Sequence, residues 1–266
     1  GSASTGKSGG SRAESQQAHE QAHLQRIANP DGPLDGDTPD YPEIDAHARR
    51  SIGGGLRALE LAREGKPNFS LLRPPGHHAT HEQAMGFCYF NSIAITALAA
   101  RAAGMEKVAV FDFDVHHGNG TQQAFYNSAE VLTLSIHQEM LYPVNLGKVT
   151  EQGEDGGHGH NINIPLPAGS GGGAYLAALD NVVLPALHAF KPDLIVIACG
   201  YDPCYFDPLS HMLLVANHFR TMTQKIMQAA DELCNGRVVA NHEGGYSDFY
   251  VPLCGIAVID TLAGIS

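Results

Sequence analysis

Short apolar runs alternate with helical patterns along most of this chain, and that alternation restricts the fold more than any other feature of the sequence. Strand candidates fall at 69–72, 108–113, 131–136, 194–199 and 238–241; helix candidates fall at 44–63, 91–103, 172–190, 218–234 and 251–262. Strands separated by helices need crossover connections, and these give a mostly parallel sheet covered on both faces. The expected fold is therefore α/β, a single domain built on a doubly wound, mostly parallel sheet with helices on both faces. At 266 residues and 43% hydrophobic content the chain can bury one large core, and 1–266 reads as one domain. No internal repeat is evident. Residues 1–43 read as a flexible start and loop, because GSASTGKSGGSRAES is rich in Gly and Ser and 29–42 is dense in Pro, Gly and Asp.

The polar residues that follow the apolar runs carry the chemistry. Directly after KVAVF comes Asp112-Phe113-Asp114-Val115-His116-His117-Gly118-Asn119-Gly120, in which alternate side chains put Asp114 and His116 on one face as two ligands of one metal ion. His77-His78 follows the first strand candidate, Gly200-Tyr201-Asp202 follows LIVIAC, and Gly244-Gly245-Tyr246 follows RVVANHE. Each of these has a bland structural reading alone, as a turn, a cap or core packing. In an open parallel sheet, however, the carboxyl ends of the strands line one edge where ligands bind, so the four segments converge on one crevice. There Asp114, His116 and Asp202 form a two-carboxylate, one-imidazole set that holds a divalent ion with positions left for water and substrate. Zinc is favoured, and ferrous iron, manganese or cobalt also suit the set. Such an ion polarises a carbonyl and acidifies water, with His77 or His78 taking the proton and the neighbouring imidazole serving as acid for the leaving amine. Asp112 and Asn119 are the nearest candidates to orient the two imidazoles; a carboxylate favours an imidazolium more than a neutral amide does, so the two histidines should differ in pKa. Tyr246 can donate its hydroxyl to an oxyanion.

Composition narrows the class. No window approaches a membrane span in uninterrupted apolar length, and no signal-peptide pattern opens the chain, so the sequence predicts a soluble, cytoplasmic protein with no membrane partner. The five cysteines are odd in number and lack CxxC spacing, which argues for buried reduced thiols. A net charge of -12 disfavours nucleic acid and suits cationic ligands such as polyamines or lysine-rich peptides. Two motifs point elsewhere. Residues 1–8, GSASTGKS, fit the phosphate-cradling loop pattern, but no strand precedes them. His19-Glu20-Gln21-Ala22-His23 fits HExxH, but its flanks Gln16, Gln17 and Gln25 are polar, which predicts a surface position instead of the buried helix that a zinc protease needs. His158 and His160 read as a surface loop.

The blocks RPPGHHA, GFCYFN, DFDVHHGNGTQ, SIHQ, NINIPLPAGSG, GYDPCYFDPLS and HEGGYS resemble the signature blocks of the histone deacetylase family, in the style of bacterial class II-like enzymes and acetylpolyamine amidohydrolases. The resemblance runs from about residue 69 to residue 254. It implies that Asp114, His116 and Asp202 are zinc ligands, that His77 and His78 are the tandem catalytic histidines, and that Tyr246 polarises the carbonyl. It further implies a narrow tunnel onto which Gly86, Phe87 and Tyr142 map, and structural potassium sites matching Asp112, Asp114, His116, Ser135 and Ile136 and, second, Phe125, Ser128 and Val131. Family members usually have more chain before RPPGHHA and after GGY than the 72 residues before Arg73 and 20 after Tyr246 present here, so the N-terminal part of the domain is expected to be incomplete. Pro203-Cys204-Tyr205-Phe206 is bulkier than the family pattern, which predicts a narrower pocket beside the metal.

The activity implied is metal-dependent removal of acetyl or other short acyl groups from acetylated primary amines, either acetylpolyamines or acetyl-lysine in peptides. An arginase-like ureohydrolase would need a second metal held by further Asp residues, where this chain has His117-Gly118-Asn119. A non-catalytic reader of acetyl-lysine would not need the intact ligand set and Tyr246. The sequence leaves a homo-oligomer open.

Overall fold

The computed structural model describes Ser15, Gln16 and residues 18–265, so the phosphate-loop match at 1–8 lies outside the described residues. Among the described residues six strands form one sheet: β1 Phe69–Ser70, β2 Val108–Asp112, β3 Val131–Gln138, β4 Asn161–Leu166, β5 Leu194–Cys199 and β6 Val238–His242. Every pairing is parallel, in the order β1-β6-β5-β2-β3-β4. Strands buried on both faces need no polar alternate, and β2, β3 and β5 have every residue buried. Their side chains still alternate in direction. Val108 and Val110 enter one core with Leu194, Val196 and Val239, while Ala109 and Phe111 enter the other with Leu134, Ile195 and Ile197.

The first core is closed by helices α1 Gln21–Ala28, α2 Ile44–Arg63 and α3 Ser92–Ala102, through Leu24, Ile27, Ile52, Leu59 and Ile93. The short α4 Asn119–Phe125 adds Phe125. The second core is closed by α5 Gly172–Ala178, α6 Leu184–Phe190, α7 Ala216–Cys234 and α8 Val251–Leu262, through Tyr175, Leu187, Phe219, Ile226 and Val258. This is the doubly wound α/β fold expected from the alternation. The chain leaves β2 toward β3 and the β4 edge, then returns to the other side of β2 as β5 and continues away from it to β6. The strand order thus reverses between β2 and β5, which opens a crevice at their carboxyl ends.

Several elements depart from the sequence expectation. The strand expected at 69–72 is paired over two residues only, and β4 was not foreseen because Pro165 interrupts NINIPL. As the outer strand of the sheet, β4 tolerates a residue with no N–H. The helix expected at 172–190 contains a π-type turn at Leu179–Val183, two residues before Pro185, which has no N–H to bond back to the preceding turn. Within the segment expected to be flexible or loop-like, α1 is a regular helix that buries His23, Leu24 and Ile27. All five cysteines are free and buried.

The HExxH match is not a surface feature. His19 and His23 are each 2% exposed, and His19 lies ahead of α1, so the two do not share one helix. His19 donates from Nδ1 to the Thr80 carbonyl at 2.7 Å and accepts the Asn91 N–H on Nε2 at 2.8 Å, while His23 Nε2 donates to the Tyr89 carbonyl at 2.8 Å. Both rings therefore pin the N-terminal segment to the chain between His77 and α3. A ring that must accept on one nitrogen has to be neutral, and burial, followed by the neighbouring His23, pulls the His19 pKa down to about 3. The neutral form's stability is fully present above 6.5 and is lost as pH falls toward 3. His19→Ala should destabilise the fold by about 1–3 kcal/mol at neutral pH, because the Asn91 N–H is left unpaired. Urea unfolding should show this difference shrinking on acidification below 6.5. A difference that does not change with pH would remove His19 from the acid response.

Candidate active site

The loops after β1, β2, β5 and β6 meet at the crevice between β2 and β5. Beyond β2 the backbone turns on its own carboxylates: Asp112 Oδ1 accepts the Asp114 N–H at 3.0 Å and Asp114 Oδ1 accepts the His116 N–H at 2.9 Å. Neighbouring loops fix the remaining oxygens. Asp202, after β5, accepts the Val115 N–H at 2.9 Å, and Asp114 Oδ2 accepts the Gly244 N–H, after β6, at 2.7 Å. His116 Nδ1 then lies 3.1 Å from Asp114 Oδ1 and 3.0 Å from Asp202 Oδ2. One ligand atom from each of the three residues lies within 4.8 Å of the others.

Asp114 and Asp202 are 0% exposed, an arrangement that two adjacent carboxylates cannot sustain without positive charge or protons. Burial, and then the Asp114 charge, raise the Asp202 pKa to about 7. Burial also opposes the Asp114 charge, but His77 and His116 hold its carboxyl well below the usual range. Burial alone would lower the His116 pKa, yet its bonds to Asp114 and Asp202 lift it to about 10. Among the described residues no lysine or arginine pairs with either carboxylate. The backbone packs close against these oxygens: a Cβ on Gly244 would sit 2.2 Å from Asp202 Oδ2 and 2.6 Å from Asp114 Oδ2, so the position admits only glycine. Two buried carboxylates and an imidazole whose ligand atoms lie within 4.8 Å of one another fit a divalent cation in kind and number of donors.

The two histidines after β1 stand beside this set with different partners. His77 Nδ1 donates to Asp112 Oδ2 at 2.9 Å, and His78 Nδ1 donates to Asn119 Oδ1 at 2.8 Å, with the ring centroids 4.0 Å apart. Burial disfavours charge on both rings. For His77 the carboxylates of Asp112 and Asp114 outweigh it and raise the pKa to about 10; for His78 the charges of His77 and His116 add to burial and push it well down. Tyr246 lies beyond β6, its N–H bound to Asp207 Oδ2 at 2.7 Å, its ring 5.8 Å from Phe87 and beneath the Arg73 guanidinium at 6.0 Å. Burial, then Asp202 and Asp114, raise its phenol pKa, so the hydroxyl stays protonated.

His78, His116 and Tyr246 line a cavity of about 250 Å³ whose walls include Gly86, Phe87 and Tyr142. Gly86 has φ +55°, and a Cβ there would lie 2.5 Å from His78 Cδ2 and 2.8 Å from Tyr142 Cε1, so only glycine lets the wall approach the histidine this closely. Of the positions matched to potassium sites, Asp112 and Ser135 are register partners on β2 and β3, with Ile136 next along β3 and Asp114 and His116 in the loop beyond β2. Phe125 ends α4, its carbonyl accepts the Ser128 N–H at 2.9 Å, and Val131 opens β3. The expected narrowing by 203–206 does not occur. Tyr205 and Phe206 are 57% and 53% exposed, because the chain turns outward after Cys204 and packs the Phe206 ring 5.1 Å from Tyr250. His158 is exposed and His160 half-buried against Phe190.

Three contributors were not read from the sequence: Arg73, Asp207 and Glu243. Glu243 carried a usable signal, an acidic residue directly at a strand's carboxyl end, whereas Asp207 and Arg73 act through backbone bonds that no spacing announces.

Residues 7–262 match the histone deacetylase domain family. The chain belongs to that family. It is 48% identical over 237 residues to a histone deacetylase-like amidohydrolase of Pseudomonas aeruginosa, covering 88% of this chain and 62% of that protein. It is 37% identical over 236 residues to a probable deacetylase of Archaeoglobus fulgidus, covering 88% and 66% respectively, so the chain spans about two thirds or less of the length of these relatives. Among solved structures, the HDA15 HD domain is similar with TM-score 0.91 at 35% identity, over 96% of this chain and 74% of that one. An acetylpolyamine aminohydrolase from Burkholderia pseudomallei is similar with TM-score 0.87 at 29% identity, over 95% and 83%.

For a histone deacetylase family site of this geometry, elemental analysis of the purified protein should find one divalent ion per chain. Asp202→Ala should abolish it and His19→Ala should retain it; the reverse pattern would move the metal to the HExxH pair.

Proposed function

We propose that this chain is a zinc-dependent amidohydrolase that removes acetyl groups from acetylated primary amines, acetylpolyamines or acetyl-lysine in peptides. The observation that carries this reading is the buried Asp114, His116, Asp202 set, whose His116 lines one cavity together with His78 and Tyr246. Family membership and the names of the similar proteins support the same class of reaction.

Held by Asp114, His116 and Asp202, zinc supplies Lewis acidity toward the acyl carbonyl and the attacking water. The remaining work belongs to the side chains. His78 carries its proton on Nδ1, bonded to Asn119, so its Nε2 has the free lone pair, and its lowered pKa keeps it neutral. It takes the proton of the attacking water and returns it to the departing amine nitrogen. His77, kept cationic by Asp112, holds positive charge beside the carbonyl as negative charge develops there, and prevents His78 from keeping its proton. The Tyr246 hydroxyl donates to the carbonyl oxygen as it becomes an oxyanion. Phe87 and Tyr142 wall the cavity as apolar surfaces for a methylene stem, and in this reading the acylated amine sits at its floor. By the family resemblance, the potassium positions around β2, β3 and α4 belong to the same reading.

The purified chain should release acetate from acetyl-lysine peptides or acetylputrescine, and a hydroxamate chelator should stop it. Metal-loaded protein that is inert toward a broad acyl panel would favour a reader of acetyl-lysine. Tyr246→Phe should lower turnover by about 10²-fold with metal content intact, the size expected for one lost oxyanion donor. Unchanged turnover would remove Tyr246 from the mechanism.

A further inference from the structure

Glu243 is 0% exposed, and its side chain spans from the end of β6 to the loop that carries the tandem histidines. Its Oε2 accepts two successive backbone N–H groups, from Gly76 at 2.7 Å and from His77 at 2.9 Å. Its own backbone is fixed at both ends of the residue. The Glu243 N–H donates to the Cys199 carbonyl of β5 at 3.0 Å, and the Glu243 carbonyl accepts from Arg73 Nη1 at 3.1 Å. The next residue, Gly244, bonds Asp114 Oδ2 at 2.7 Å, and Tyr246 follows two positions later. One side chain therefore links the β1 loop that holds His77 to the β6 loop that touches a metal ligand and carries the phenol. Its second oxygen, Oε1, is buried with no hydrogen-bond partner among the described residues, so the carboxyl is held there by those two bonds.

We infer that Glu243 is a positioning residue that fixes the His77-His78 pair against the Asp114, His116, Asp202 set by clamping the Gly76 and His77 amides. The inference rests on the amidohydrolase reading above and assigns Glu243 no contact with substrate. A clamp on two amides works by reach, because the carboxyl oxygen must arrive where both N–H groups point. Reach and charge can be separated by substitution. Glu243→Gln keeps chain length and an acceptor oxygen while removing the carboxylate. Glu243→Asp keeps a carboxylate but is one methylene short. A misplacement of about 1 Å at a catalytic group is worth about 10²-fold in rate.

The test measures kcat, KM, metal content and melting temperature for both variants, together with amide hydrogen exchange at Gly76 and His77. The expected result is that Glu243→Gln keeps kcat within about threefold, well short of that misplacement effect, and retains amide protection. Glu243→Asp should lose about 10²-fold in kcat and lose that protection, with KM and metal content unchanged. Loss of kcat in Glu243→Gln equal to that in Glu243→Asp would overturn the inference in favour of a role for the charge. It would also be overturned by activity losses that track melting temperature, or by Glu243→Asp retaining both protection and kcat. Because amide exchange needs no substrate, the clamp is measured even if the wild-type chain hydrolyses no acetylated amine, in which case the functional reading fails separately.

Discussion

Two carboxylates forced together in a dry interior set the terms for everything around them. Asp114 and Asp202 come from opposite sides of the point where the strand order reverses, and neither reaches solvent. Such a pair is tolerable only if each oxygen finds a donor and the remaining charge finds a cation or a proton. The donors are backbone amides of Val115, His116 and Gly244, contributed by the loops after β2 and β6. Backbone donors cannot swing into place as long side chains can, so the strand ends must arrive in register. Asp112 is paired with both Ser135 and Ala198, and Cys199 with His242. The parallel sheet is thus the ruler that sets the geometry of the set, and a cation held there would be the counter-charge that makes burial of the pair acceptable.

The same economy separates two adjacent, chemically identical side chains. His77 and His78 are equally buried and 4.0 Å apart, yet one faces a carboxylate and the other an amide. A carboxylate behind an imidazole stabilises its cation, an amide oxygen does so only weakly, and the first cation then repels a second proton from its neighbour. Asp112 and Asp114 beside one ring raise its pKa, while burial with the His77 and His116 charges beside the other lowers it, so two identical side chains hold protons very differently.

Much of this was legible in the sequence, because the groups concerned follow apolar runs whose period and spacing are visible. Asp114 and His116 follow β2 directly, Asp202 follows β5 and Tyr246 follows β6, so the rule for parallel sheets gathers them without any tertiary information. The rest depended on backbone geometry. β4 hides behind Pro165 because a proline is harmless only on an edge, and edge position is a property of the finished sheet. The buried pins His19 and His23 look like surface residues because their flanks are glutamines, while their partners are carbonyls far along the chain. Tyr205 and Phe206 were expected in the pocket from sequence proximity to Asp202, but the chain turns outward after Cys204.

The walls of the cavity are not independent of its floor. The Tyr142 ring lies 5.1 Å from His78 and 6.4 Å from His116, and Phe87 packs 5.8 Å from Tyr246, so each wall aromatic leans on a residue of the proposed machinery. Gly86 and Phe87 both have positive φ, a backbone shape that brings the wall inward at the histidine. Edge-to-face ring contacts of this kind are worth about 0.5–1.5 kcal/mol each beyond their buried area, enough to bias a rotamer by severalfold. A substitution that widened the cavity at Phe87 or Tyr142 would therefore also loosen Tyr246 or His78. The shape of the cavity and the positions of the groups below it are thus coupled through shared packing, so its wall cannot be altered without cost to the placement of His78 and Tyr246.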